Sequence, residues 1–227
     1  MAQANLKSGV GSAEPIPRAP DTAVAGDGRV RCAWAASNAI SRDYHDLEWG
    51  LPVRGETALL ERISLEAFQS GLSWITILRK RTAFREAFLH FDADAVASFT
   101  DSDVDRLMEN RGIVRHRRKI DAVRTNARAT IGLRAHGGLD ALVWSFTPER
   151  TPLPHSHSDV PSSTAESLAL SKELRRRGFT FVGPTTMFAL MEAIGMVDTH
   201  LLGCYRRGAS GLWTASGLPA YGTSTVT

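Results

Sequence analysis

The stretch Arg175-Arg-Arg-Gly-Phe-Thr-Phe-Val-Gly-Pro184 decides how the last part of this chain folds. A helix that ends in the three arginines would stop at Gly178, because glycine readily adopts the left-handed conformation that follows a helix. Pro184 suits the first position of a new helix, where its missing N–H group is not needed. We therefore predict two helices joined by a short turn. Free N–H groups at the start of the second helix can bind a DNA phosphate, although such turns are also common in proteins that never bind DNA.

The sequence before this turn has helical patterning almost throughout. The predicted elements are a helix that carries Leu59, Ile63 and Ala67 and ends at Gly71, a helix from Thr100 to Asn110 with Thr100 and Asp103 as its cap, a long helix from Ile120 to Gly137, and a helix capped by Ser163 and Glu166. These signals follow from the 3.6-residue period and from capping chemistry. No strand-like alternation of useful length and no internal repeat is visible, so we expect an all-α fold.

Composition divides the chain into three parts. Of the 227 residues, 43% are hydrophobic, which is enough for one substantial core. Residues 1–28 are rich in Gly, Ala, Pro and Ser without apolar periodicity, and we predict a disordered N-terminal extension there. A single helical domain is expected over residues 29–207. Residues 208–227 are predicted to form a flexible tail, with the alternative that part of it folds back through Trp213.

Charge and hydropathy limit the function classes. No apolar run approaches the roughly 18 residues that span a bilayer, and the first residues lack the apolar core of a signal peptide. We therefore predict a cytoplasmic protein that does not bind membranes. The net charge is +3, and all but four of the 27 basic residues are arginine. Arginine suits phosphate contacts, but a GC-rich genome would produce the same bias.

Two cysteines and two histidines form a candidate metal site. Cys32 lies near His45, and Cys204 lies near His200. Two sulfur and two nitrogen ligands are the usual donors of a closed zinc site, yet only His200 and Cys204 have the i, i+4 spacing of one helical face. A Cys32–Cys204 disulfide, or two buried thiols with unrelated histidines, are the alternatives. A structural disulfide is disfavoured in the cytosol.

Glu66 is an acid on an apolar helical stripe. It lies three residues after Ile63 and seven after Leu59, so its carboxylate points toward the core side of its helix. Aromatic residues surround it in sequence, from Tyr44 to Trp74. A sheltered acid with aromatic faces suits a flat cationic or electron-poor ring. The alternative is a structural ion pair with an arginine in an ordinary aromatic core.

Six stretches resemble the type I 3-methyladenine DNA glycosylase family, in order from about Arg31 to Cys204. They are Arg31–Trp34, Tyr44–Gly50, Leu65–Ile75, Gly112–Ile120, Val143–Phe146 and Arg177–Gly183. The resemblance implies a helical fold of the helix-hairpin-helix DNA glycosylase superfamily. It also implies excision of 3-methyladenine from alkylated double-stranded DNA in base excision repair, without strand cleavage. We expect the chain to act as a monomer at the bacterial nucleoid.

The resemblance also implies roles for particular residues. One structural zinc per chain would join the two ends of the domain through the ligands Cys32, His45, His200 and Cys204. Glu66 would hydrogen-bond the flipped base, with Trp34, Tyr44 and Trp74 around the ring. The predicted DNA contacts are the backbone amides from Phe179 to Thr185, including Gly183 and Thr185, together with Arg115, Arg117, Arg118 and Lys119. A solvated basic face is the alternative for these four cations.

Two positions depart from the family pattern. Ser41 stands where relatives often have a tyrosine, which questions one contribution to the pocket. Asp198 occupies the position of a catalytic aspartate of the wider superfamily, and a catalytic role for it is one hypothesis. The alternative is a carboxylate that favours the helix dipole and orients His200. Two other functions also remain open, namely a non-catalytic damaged-DNA-binding module and a glycosylase of shifted alkyl-base specificity.

Overall fold

The structure is a computed structural model that describes residues 21–220. One helix, α2 (Glu56–Gln69), lies at its centre. Every residue of α2 from 59 to 68 except Glu61 is buried, so the helix is covered on all sides. Its neighbours are α3 (Trp74–Ala87), α6 (Arg117–Leu133), α7 (Gly138–Trp144) and α9 (Pro184–Ala193). A polar side chain on α2 must therefore find a partner inside the protein or in a cavity.

Shorter helices complete the described part of the chain. They are α1 (Ala39–Leu47), α4 (Ala93–Ala97), α5 (Asp101–Glu109) and α8 (Ala165–Arg176), with 3-10 turns at Ala33–Ser37, Leu89–Phe91, Arg134–His136 and His157–Asp159. The prediction of an all-α fold is confirmed in its main part, because the described residues are mostly helical. Among residues 21–220, no helix is both long and apolar enough to cross a bilayer.

Capping explains where two of these helices begin. Thr100 and Asp103 form the predicted capping box at the start of α5. The predicted box of Ser163 and Glu166 is wrong by one residue, because Thr164 and Ser167 cap α8 instead. Thr164 has the extended backbone that an N-cap requires, and its hydroxyl accepts a hydrogen bond from the Ser167 amide at 3.3 Å.

The N-terminal segment contains a short β-hairpin. Strand β1 (Thr22–Val24) pairs antiparallel with β2 (Val30–Cys32), so the predicted disordered extension is wrong for residues 21–28. The hairpin is held by Arg31, which is only 2% exposed and donates hydrogen bonds to both Asp27 and Asp46. Three-residue strands are too short to leave an alternating pattern in the sequence. The rest of the predicted extension, residues 1–20, lies outside the described residues.

The C-terminal segment packs against the domain over residues 208–220. Trp213 is 3% exposed, and the Gly208 amide donates to Asp198 Oδ2 at 2.7 Å. The Thr151 amide donates to the carbonyl of Gly217 at 3.0 Å. The flexible tail is therefore wrong for these residues, and the alternative that the segment folds back through Trp213 is confirmed. Residues 221–227 lie outside the described part.

Candidate active site and metal cluster

A cavity of about 280 Å³ brings the predicted base-binding residues together. It is lined by Trp34, Tyr44, Trp49, Glu66, Gln69, Trp74, Ala189 and Glu192. The ring centroids of Tyr44 and Trp74 are 5.4 Å apart, and those of Trp34 and Tyr44 are 6.5 Å apart. Three tilted aromatic rings thus surround a space at the small end of ligand pockets, which suits a flat ligand.

The turn between α2 and α3 places Trp74 on the cavity wall. Gly71 takes a φ of +82°, which favours glycine, and the chain reverses before α3 starts at Trp74. The indole Nε1 of Trp74 is buried without a hydrogen-bond partner among the described residues. Buried donors are normally satisfied. A ligand with an acceptor atom in the cavity would satisfy this one.

Glu66 is an unpaired buried acid in this cavity. Its side chain is 4% exposed. Burial raises its pKa from 4.5 to about 8, and the Glu192 carboxyl adds to the rise while Arg62 opposes it. The Arg62 guanidinium donates to Glu48 at 3.1 Å, and no ion pair in the described part of the chain includes Glu66. The alternative of a structural ion pair therefore lacks a partner.

Glu192 is a second cavity acid that the sequence reasoning missed. It lies on α9, and its Oε1 accepts a hydrogen bond from the Thr199 hydroxyl at 2.6 Å. Burial raises its pKa from 4.5 to about 7, against the effect of that hydrogen bond. Glu192 is the one charged residue in the sequence of α9, PTTMFALMEA. The argument that selected Glu66, a lone acid in an apolar helix, would have selected it too.

Ser41 does not belong to the cavity wall. It is buried in the first turn of α1, where its amide donates to the side chain of Asn38 at 2.9 Å. Trp49 and Gln69, which the sequence analysis did not assign to the pocket, do line the cavity. Both lie in the motif stretches quoted above, so proximity to Tyr44 and Glu66 was an available signal.

Three of the four predicted metal ligands form one buried cluster. Ligand atoms of Cys32, His45 and Cys204 lie within 4.8 Å of one another. Both cysteines are free thiols, so the disulfide alternative is not formed. Hydrogen bonding from Cys32 lowers the pKa of Cys204, and a bond from His45 adds to this although burial opposes it. A thiolate is the form of cysteine that binds a metal.

His200 lies next to this cluster and has a free nitrogen. Its ring centroid is 5.1 Å from that of His45, and its Nε2 is buried with no partner among the described residues. In both rings Nδ1 contacts a carboxylate oxygen at 2.8 Å, from Asp46 for His45 and from Asp198 for His200. Carboxylates usually orient metal-binding histidines in this way. The donor set of two sulfurs and two nitrogens therefore fits zinc.

Gly50 makes room for the His200 ring. A Cβ atom at this position would lie 2.6 Å from His200 Cε1, and the backbone φ is +78°. Both features require glycine. The stretch that carries Tyr44 and His45 is thereby packed directly against the segment that carries His200.

Asp198 is not brought to the base cavity. Its Oδ1 accepts hydrogen bonds from the amide and Nδ1 of His200 at 3.0 and 2.8 Å. Its Oδ2 accepts from the Gly208 amide at 2.7 Å, and Arg207 lies 3.8 Å away. Among the described residues, the contacts of this carboxylate all go to the segment from His200 to Gly208. The geometry favours the orienting role over the catalytic one.

The turn over residues 177–183 lies close to the base cavity. Gly183 is the N-cap of α9, and Thr185 is exposed in its first turn. A second cavity of about 360 Å³ is lined by Glu66 and Gln69 as well as by Thr185. The turn itself is held by Asn126, whose side chain accepts from the Thr180 amide at 2.8 Å and donates to the Thr180 carbonyl at 3.1 Å.

The predicted phosphate-binding cations have different environments. Arg115, Arg117 and Arg118 are exposed, and Arg117 pairs with Asp105. Arg118 lines a cavity beside the turn, together with Arg175 and Thr180 among others. The prediction for Lys119 is wrong. Lys119 is 6% exposed and donates to the carbonyls of Phe68 and Ser70 at 2.9 and 2.6 Å, so it caps the end of α2.

Comparison with known proteins places this geometry in a family. A family model for methyladenine glycosylase matches residues 34–207. The chain belongs to the methyladenine glycosylase family. The DNA-3-methyladenine glycosylase of Haemophilus influenzae is 44% identical over 179 residues, which cover 77% of this chain and 96% of that protein. DNA-3-methyladenine glycosylase 1 of Escherichia coli is 43% identical over 177 residues, with coverage of 77% and 95%.

Solved members of the family share the fold. A substituted 3-methyladenine DNA glycosylase I in complex with 3-methyladenine superimposes with a TM-score of 0.73 at 35% identity, covering 77% of this chain and 96% of that protein. The family assignment made from the six sequence stretches is confirmed.

Proposed function

We propose that this chain is a DNA-3-methyladenine glycosylase that flips the damaged nucleotide and removes its base by hydrolysis in base excision repair. The observation that carries the proposal is the cavity in which Trp34, Tyr44 and Trp74 surround the unpaired acid Glu66. The family and the named activity of its relatives agree with it. A protein that only bound damaged DNA would not need a base-sized pocket with a buried acid.

The residues suit the chemistry of this lesion. Methylation at N3 places positive charge on adenine and weakens the bond between N9 and the sugar C1′, so the base is already a good leaving group. The protein has to hold the flipped base and let water reach C1′. Aromatic faces attract the cation, and the Glu66 carboxylate can accept a hydrogen bond from it. A nearby cation also favours the ionised form of Glu66.

We propose that the enzyme is monofunctional. Strand cleavage by related chemistry needs an amine that forms a Schiff base with the sugar. The described residues that line the cavity include no lysine. We therefore expect an intact abasic strand as product.

We propose one structural zinc per chain, held by Cys32, His45, His200 and Cys204. Support comes from the three-residue cluster and from the unpartnered Nε2 of His200. The metal would join the segment that carries Trp34 to the segment after α9, and it would take no part in hydrolysis. Metal analysis should find about one equivalent of zinc. Cys204→Ser should lose the zinc and lower the unfolding midpoint.

We propose that the turn over residues 177–183 and the first turn of α9 contact the DNA backbone, with Arg115, Arg117 and Arg118. The second cavity supports this, because it runs between Glu66 and the start of α9. Each lost phosphate contact should reduce the slope of log affinity against log salt by about 0.9. Single alanine variants of the three arginines test this, with the exposed Lys172 as a matched control.

The deciding experiment measures release of free base from methylated duplex DNA. We expect 3-methyladenine to be released, and Glu66→Gln to lower kcat/KM by about ten- to a hundredfold. Glu109→Gln, which replaces an exposed acid on α5, is the control.

Retention of 3-methyladenine in the DNA at stoichiometric protein would favour the binding-module alternative. Parallel assays of 7-methylguanine and hypoxanthine test for a shifted specificity. Monomeric state, cytoplasmic location and the presence of a single helical domain stay predictions from the sequence.

A further inference from the structure

The base cavity contains two carboxyl groups rather than one. Glu66 enters from α2 and Glu192 from α9, and both line the same 280 Å³ space between the aromatic rings. No ion pair among the described residues includes either acid. Two acids in one small, largely apolar cavity repel each other when both are ionised. Such an arrangement costs folding free energy unless the acids stay protonated or a cationic ligand binds between them.

We propose that Glu192 is a second specificity-determining acid of the base pocket, which acts with Glu66 to present shared negative charge to a positively charged flipped base. The inference rests on the glycosylase function proposed above and extends it to a residue that the family resemblance did not select. A cationic base between two carboxyl groups relieves their repulsion. A neutral base of similar shape gains nothing from them, so the pair discriminates by charge.

The position of Glu192 is held from outside the cavity. The Thr199 hydroxyl donates to Oε1 at 2.6 Å, and Thr199 lies between Asp198 and the candidate metal ligand His200. Oε2 has no hydrogen-bond partner among the described residues. Oε1 is thus held by the segment that carries His200, and Oε2 is available to a ligand.

The neighbouring charged side chains that the structure describes do not form an ion pair with either acid. Arg62 on α2 lowers the pKa of Glu66, but its guanidinium donates to Glu48 at the end of α1. Arg81 on α3 also donates to Glu48, at 2.6 and 2.7 Å. Tyr44 on α1 stays protonated, because burial and then the Glu66 carboxyl raise its pKa. Burial raises the pKa of Glu192 to about 7 and that of Glu66 to about 8, so the pair gains charge as the pH rises through this range.

The test compares the pH profile of 3-methyladenine excision in the full chain and in Glu192→Gln. Glutamine still accepts a hydrogen bond from Thr199, so a merely structural role would leave the profile in place. Loss of the repulsion should lower the pKa of Glu66, and the rise of kcat/KM should move about one pH unit lower. Above the rise, kcat/KM should fall about ten- to a hundredfold. Affinity for a duplex that carries neutral hypoxanthine should stay unchanged, as should every parameter of Glu109→Gln.

A profile whose midpoint does not move in Glu192→Gln overturns the inference while leaving the proposed glycosylase intact. If the unsubstituted protein releases no 3-methyladenine at any pH, the proposed function fails instead. In that case carbon-13 titration of labelled glutamate carboxyls still tests the pair, because Glu66 must titrate at lower pH in Glu192→Gln. An unchanged Glu66 titration overturns the inference in either case.

Discussion

Replacement of Asp198 by asparagine separates an orienting role from a catalytic one. The Asp198 carboxylate accepts three hydrogen bonds, two from His200 at 2.8 and 3.0 Å and one from the Gly208 amide at 2.7 Å. Asparagine has only one acceptor oxygen, so at least one of these donors would face an NH2 group. Loss of a hydrogen bond to a buried charged group costs about 1.5–3 kcal/mol.

We therefore expect Asp198→Asn to lower the free energy of unfolding by about 2–4 kcal/mol, because the Arg207 contact at 3.8 Å also loses its charge. Single domains have about 5–15 kcal/mol of stability, so the variant should still fold. Denaturant unfolding followed by tryptophan fluorescence measures the change. Asp92→Asn is the matched control, since Asp92 is an exposed N-cap and asparagine caps a helix equally well.

The excision rate decides between the two roles. Under conditions in which Asp198→Asn is folded and holds the proposed zinc, single-turnover excision should stay within about tenfold of the unsubstituted enzyme. The reasoning is refuted if the variant keeps its unfolding midpoint and zinc content but loses more than about a hundredfold in rate. That result would place Asp198 at the reacting sugar, as the superfamily pattern suggests.

Three further substitutions test other contacts. Lys119→Met should cost about 1–3 kcal/mol of stability, because the carbonyls of Phe68 and Ser70 lose their hydrogen-bond donor. It should leave the salt dependence of DNA binding unchanged. A reduced slope of log affinity against log salt would contradict the buried placement. Asn126→Ala should raise KM for damaged DNA more than it lowers kcat, because the Thr180 backbone loses its two hydrogen bonds to the Asn126 side chain. An equal loss in kcat would argue against a DNA-positioning role. Gly50→Ala should lower bound zinc, since the new Cβ would lie 2.6 Å from His200 Cε1; full zinc content would show that His200 is not a required ligand.

Several helix ends and the aromatic pocket residues could be predicted from local sequence signals. The capping box at Thr100, the end of α2 before Gly71 and the start of α9 at Pro184 depend on residues within four positions of one another. The aromatic residues and Glu66 lie in continuous stretches that are long enough to identify the family. Such features need no knowledge of long-range packing.

Packing between distant segments decided the rest. Lys119 looked like a member of an exposed basic run, but α6 packs on α2 and buries its side chain against carbonyls about fifty positions earlier. Residues 208–220 looked like a flexible tail, but Gly208 and Gly217 are hydrogen-bonded to Asp198 and Thr151. Trp213, between them, is buried. Neither contact has a local signature, because the burial energy belongs to both partners.

The two acids of the base pocket show the same division most clearly. The apolar helical stripe was enough to select Glu66 as a sheltered carboxylate. Its proximity to Glu192, which lies 126 positions later in the sequence, depends on the packing of α9 against α2. The sequence alone identified Glu66 and the aromatic residues of the pocket as side chains that carry chemistry. Only the tertiary structure decided which of them share a cavity, because proximity between helices is set by the packed core and not by spacing along the chain.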